Sequence, residues 1–133
     1  MNQSPIFIKT YDLLRWLLPL LNQFPKDQRF RLAARIENAL FTFYELLMRA
    51  ARSRRRRAVL SEADLELEKL RLYLRLAQDM RYLNFKHYEH AARLVTEVGK
   101  LLGGWLKATP ATAAEELSAE RGDGPGAGRV LEQ

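Results

Sequence analysis

The feature that most constrains this chain is a step of three or four residues between apolar side chains, sustained along most of its length with no strand-like alternation anywhere. Between Phe24 and Arg57 the positions Leu32, Ile36, Leu40, Phe43 and Leu47 keep that step, which places them along one face of a helix. A second row on the same stretch, Arg31, Arg35, Asn38, Thr42, Glu45, Arg49 and Arg52, keeps the rhythm on another face and is polar throughout. One element therefore carries a packing surface and a surface suited to something anionic.

The rest of the chain divides into similar pieces. Ser4 followed by Pro5 reads as an N-cap with proline at the first helical position, where its missing N–H is no loss. The helix that follows is apolar on most sides, through Leu13, Leu14, Trp16, Leu17, Leu18, Leu20 and Leu21, and Pro19 predicts a kink or an early end. After Phe24-Pro25 the second helix is expected from about Lys26 to beyond Arg52, with a soft boundary in the run Arg54 to Arg57, where adjacent like charges repel. Ser61 with Asp64 resembles a capping box and predicts a third helix starting near Glu62. Its seam is Leu67, Leu70, Leu74 and Ala77, with Leu65, Leu72, Leu76, Met80 and Leu83 beside it. Asn84 is the expected cap of a fourth helix, whose seam Phe85, Tyr88, Ala92, Val95, Gly99, Leu102 and Leu106 alternates steps of three and four. Trp105, just past Gly103-Gly104, predicts docking of that helix end. The spacing thus predicts an all-α fold: an up-down-up-down antiparallel four-helix bundle over residues 1–108, with a disordered Ala/Glu/Gly-rich tail over 109–133.

Charge separates these two parts. The chain has 133 residues and a formal net charge of +6, but residues 1–108 hold 20 basic side chains against 11 acidic, while the remainder holds 2 against 5. A surplus of this size on the folded part favours nucleic acid or an acidic surface as partner. No cysteine is present, which excludes disulfides, thiolate metal sites and a cysteine nucleophile, and fits a reducing cytoplasm. The apolar run Leu13 to Leu21 is broken by Arg15 and Pro19 and is too short to span a bilayer, so no membrane association is expected.

Catalytic chemistry finds little support. His87 and His90 stand on one helix, but neither has a glutamate three residues before it as carboxylate-bridged metal bundles require, so they read as surface histidines. No Ser-His-acid set, P-loop or glycine-rich phosphate cradle occurs in the folded region. Neither cofactor nor metal is expected, and a non-enzymatic role follows. Phe30, Phe41, Phe43, Tyr44, Tyr73, Tyr82, Phe85 and Tyr88 lie at helical spacing among leucines, which assigns most of them to the core, while an exposed one could stack on a base.

Four blocks in order, IKTYDLLRWLLP, FPKDQRFRLAARIENALFTFYELL, LEKLRLYLRLAQDM and FKHYEHAARLVTEVGKLLGGWLK, resemble the accessory variability determinant proteins of diversity-generating retroelements. The resemblance covers Ile8 to Lys107 and is carried above all by RIEN at Arg35 to Asn38 and GGWLK at Gly103 to Lys107. It extends more remotely to the four-helix-bundle proteins encoded in ribosomal-RNA intervening sequences, whose reading would be a structural or protein-interaction adaptor. It implies a non-enzymatic bundle that assembles into a basic homopentamer, binds RNA or DNA, and associates with the element's reverse transcriptase during mutagenic copying of a template RNA.

The residues expected to meet nucleic acid or a partner are Arg31, Arg35, Arg49, Arg52, Arg54, Arg55, Arg56, Arg57, Arg75, Arg93 and Lys100. Arg31 and Arg35 are assigned to a rigid surface, Arg54 to Arg57 to a flexible electrostatic arm, and Lys86, Arg93 and Lys100 to a second basic wall on the fourth helix.

Overall fold

A computed structural model describes residues 4–121. Four long helices make the bundle: α1 (Pro5–Leu21), α2 (Leu32–Arg52), α3 (Arg56–Asp79) and α4 (Phe85–Lys107); a short α5 (Ala113–Arg121) follows. Each helix packs against its neighbours in sequence, and α1 against α4 closes the ring, with the α2–α3 contact the most extensive. Ring contacts at both ends fix the alternating directions. At one end Phe7 of α1 meets Tyr44 of α2 edge to face at 5.7 Å and Trp105 of α4 at 6.2 Å. At the other, Trp16 meets His90 at 4.5 Å and His87 at 6.1 Å, and Phe24 meets Tyr82. The two histidines are thus half-buried against an indole rather than free on the surface.

The expected seams of α2 and α3 are all buried: Leu32, Ile36, Leu40, Phe43 and Leu47 on one, Leu67, Leu70, Leu74 and Ala77 on the other. On α4 the buried row is Ala91, Val95, Val98 and Leu102, turned from the expected one, so that Phe85 is 61% exposed while Tyr88 and Leu106 pack only partly against the core. Gly99 stands under the Arg71 side chain of α3, where a Cβ would come within 2.6 Å of a guanidinium nitrogen. Not all aromatics are core: Phe30 is 86% exposed, and Phe41 is exposed too. On α3 the positions flanking the seam, Leu72, Leu76 and Met80, point outward as well. No described helix is long and apolar enough to cross a membrane.

Helix boundaries differ from expectation in four places. Lys26–Gln28 form a single 3-10 turn and α2 begins only at Leu32, because Arg31 at its N-cap lies outside helical backbone geometry, with ψ at −97°. Pro19 does not stop α1, which runs two residues further to Leu21. The third helix begins at Arg56, not near Glu62, so Ser61 lies within it rather than capping it. The segment expected to be a disordered tail contains helix α5, started by a capping box in which Thr112 Oγ1 accepts from the Glu115 N–H at 3.2 Å and Glu115 Oε1 accepts from the Thr112 hydroxyl at 3.1 Å. Residues 122–133 of that tail lie outside the described residues.

The turn between α3 and α4 is closed at both ends. Asn84 Oδ1 accepts from the His87 N–H at 2.7 Å, the N-cap expected from the sequence. Before it, the Tyr82 N–H donates to the Ala77 carbonyl and the Arg81 N–H to that of Gln78, the double bond of a Schellman motif, with Arg81 in left-handed backbone at φ 63°. Glycine holds that position without the steric penalty of a Cβ. Arg81→Gly should therefore raise the urea midpoint at constant m, by the equivalent of up to about 1 kcal/mol.

Candidate nucleic-acid interface

The polar row of α2 faces a groove against α3. Arg35, Asn38, Ala39 and Thr42 form one wall, and Glu66, Lys69 and Tyr73 the other, around a volume of about 180 Å³. Arg35 and Tyr73 also border a second hollow of about 520 Å³, lined by Gln28, Arg31, Leu32, Leu76, Met80 and Tyr82, so the two form one continuous channel. Its chemistry is mixed. Arg31, Arg35 and Lys69 supply cations at exposed positions, Tyr73 and Tyr82 supply half-buried ring faces, and Leu76 with Met80 gives an apolar lip. Glu66 Oε1 accepts from Lys69 Nζ at 3.3 Å, while its Oε2 is buried with no hydrogen-bond partner. A groove so lined can hold a phosphate at the arginines and a flat ring against tyrosine.

The sequence had assigned Arg31 and Arg35, but not Lys69, Glu66 or Tyr73. Their signal was the i, i+3, i+7 spacing of Glu66, Lys69 and Tyr73, which puts all three on one α3 face, the one turned toward α2.

Arg49 and Arg52 continue the row along the exposed side of α2 to its last turn. Arg75 is exposed on α3 two residues past Tyr73, which turns it away from the channel wall and leaves it outside the residues that line it. The second basic wall is weaker than its sequence suggested. On α4, Arg93 pairs with Glu89 at 3.5 Å, Glu97 pairs with Lys9 of α1 at 3.4 Å, and His90 lies on Trp16, leaving Lys86 and Lys100 exposed. Since the ring order sets α4 diagonally across from α2, the two walls do not form one surface.

The four consecutive arginines separate into two pairs, which corrects their reading as one flexible arm. Arg54 and Arg55 are exposed in the turn, where the Arg55 N–H donates to Ser53 Oγ at 3.0 Å. Arg56 and Arg57 belong to the first turn of α3 and are committed to carbonyls. Arg56 Nε donates to the Ala50 carbonyl at 2.9 Å and its terminal nitrogen to that of Ala51 at 3.3 Å, closing the end of α2. One terminal nitrogen of Arg57 donates to the carbonyls of Leu106 and Thr109, both at 2.8 Å, closing the end of α4. Helix C-termini leave such carbonyls unpaired and carry partial negative charge, so a guanidinium is well matched to them.

With this geometry, the family assignment follows from the match of a protein-family model, described as bAvd-like, to residues 6–109. The chain belongs to the bAvd-like family. The matched span begins inside α1 and ends just past α4, so the four-helix bundle is the family's unit and α5 lies outside it. No curated protein matches the chain.

The division of the arginines has a direct consequence for stability. Arg56→Ala and Arg57→Ala should each lower the unfolding free energy by about 0.5–1.5 kcal/mol, as expected for loss of net hydrogen bonding at helix ends. Arg54→Ala and Arg55→Ala should stay within about 0.5 kcal/mol of the parent in the same denaturation series.

Proposed function

We propose that this bAvd-like protein is a non-enzymatic, nucleic-acid-binding accessory protein of a diversity-generating retroelement, associating with the reverse transcriptase and the template RNA during mutagenic retrohoming in the cytoplasm. The family match supports the accessory role, and the α2–α3 channel supports the chemistry. The observation that carries the binding function is the row Arg31, Arg35, Arg49 and Arg52, whose α-carbons from Arg35 to Arg52 span about 26 Å of helix. A run of that length suits several successive phosphates. Lys69 widens it, and Tyr73 adds a stacking face. Arg54, Arg55, Lys100 and Arg75 contribute as outlying charges, and Arg93 less, being held by Glu89. Recognition through phosphates and ring faces reads no base sequence, as befits a partner whose specificity lies in the polymerase and its template.

Binding should weaken steeply with salt. Arg31→Ala combined with Arg35→Ala should reduce the slope of log affinity against log salt by about 0.9 for each lost contact on duplex DNA, and by about 0.7 on single strands. Fluorescence anisotropy across a salt series measures this, and an unchanged slope would remove these two arginines from the interface.

A second reading is favoured by the apolar lip of the channel, which continues outward along α3. Leu72, Leu76 and Met80 repeat every four residues on the outside of α3, at 61%, 44% and 53% exposure, and an uncovered apolar row of this kind marks a contact with protein. Self-assembly, a pentamer by family resemblance, accounts for the row, and so does an adaptor role toward another protein. Leu72→Glu with Leu76→Glu should dissociate the assembly to the mass of one 15.4 kDa chain by sedimentation equilibrium while leaving the helical circular dichroism intact. An assembly of unchanged mass would assign the row to the adaptor role instead.

A further inference from the structure

The bundle end that bears the four arginines also bears Glu115, the one acidic residue buried as a whole among the described residues, at 9% exposure. It joins two helix starts. Its Oε1 completes the α5 capping box with Thr112, and its Oε2 accepts from the Ala58 N–H at 2.8 Å, in the first turn of α3 and one residue past Arg57. Arg57 in turn holds the carbonyl of Thr109, at the start of the connection into α5.

α5 is short and offers little apolar surface of its own. Its nine residues are fewer than an isolated helix needs for stability, and its largest apolar side chain, Leu117, is 51% exposed. Its charge is three glutamates, Glu115, Glu116 and Glu120, against Arg121. An acidic helix thus lies with Glu115 bonded at the start of α3, beside the most basic turn of the molecule. The first turn of α3 has a strong demand for an anion, since its helix end is positive and Arg54 and Arg55 add like charge before it.

We propose that α5 is an autoinhibitory cover: Glu115 occupies in cis the place a nucleic-acid phosphate takes at the start of α3, and binding at Arg54, Arg55 and Ala58 displaces α5. The inference rests on the nucleic-acid reading above. Polar contacts of this sort are individually weak in water, so a polyanion displaces them without unfolding the bundle.

The test uses the full chain and a labelled single-stranded RNA. Glu115→Gln should tighten binding on the order of tenfold, the factor removed when a binding-competent form populated about one part in ten becomes dominant. Glu116→Gln with Glu120→Gln keeps the Glu115 contacts and should tighten binding by a smaller factor, which separates charge from loss of a helix cap. Hydrogen exchange on the parent protein supplies the second readout: adding RNA should deprotect the amides of α5 while those of α2 stay protected. Equal affinities in all three proteins, with α5 still protected in the complex, would overturn the cover and leave the nucleic-acid reading intact. Absence of RNA binding by all three would overturn that reading and the cover with it.

Discussion

Burial of one apolar row on α2 against one on α3 is the constraint from which the rest of the bundle follows. Ile36, Leu40, Phe43 and Leu47 are fully buried, as are Leu67 and Leu70 opposite them. Fully removing a Leu, Ile or Phe side chain from water is worth about 1.5–3 kcal/mol each, so no other arrangement of these two helices competes. Once the rows meet, the polar row of α2 is carried to the rim of the contact rather than away from it. That is why Arg35, Asn38 and Thr42 end in a groove with Glu66, Lys69 and Tyr73 and not on an isolated helix face. The remaining helices complete the ring, through Phe7 at one end and Trp16 at the other.

Charge on this protein serves two physically distinct ends. Arg56 and Arg57 satisfy carbonyls that the ends of α2 and α4 leave open, a structural task in which their positive charge is answered by the helices themselves. Arg31, Arg35 and Arg49 have no such commitment and present their charge to solvent. Net charge counts both kinds alike. The field available to a partner is therefore narrower than a surplus of nine on residues 1–108 suggests.

Much of this was legible in the residues, and most of the exceptions depend on tertiary contact. The seams of α2 and α3, the start of α1 at Pro5 and the cap at Asn84 depend on spacing and local chemistry, and the structure holds them as read. The start of α3 depends on tertiary contact. Four arginines in a row repel in an isolated chain, yet two of them become helical because α2 and α4 bring carbonyls to them. The inward row of α4 was ambiguous because two adjacent rows are apolar; the packing of α1 and α3 against it selects Ala91, Val95, Val98 and Leu102. Thr112 and Glu115 carry a capping-box signature that was hidden by the glycine-rich composition following them. In the candidate site, α2 was readable from its own periodicity, whereas Glu66 and Tyr73 matter only through the helix they face.

The bonds from Arg57 to Leu106 and Thr109 join positions 49 and 52 residues apart, and this bears on the order in which the chain comes together. The α2–α3 and α3–α4 hairpins need only short loops to close, so their entropic demand is small and they suit a fast start. Docking of α1 on α4 encloses most of the chain before it is rewarded. The guanidinium at position 57 sits at the open end of the α3–α4 hairpin, opposite the turn capped by Asn84, where it ties the first turn of α3 to the last turn of α4. A residue picked out by its charge thus acts as a clasp across the far end of that hairpin, beside the connection into α5.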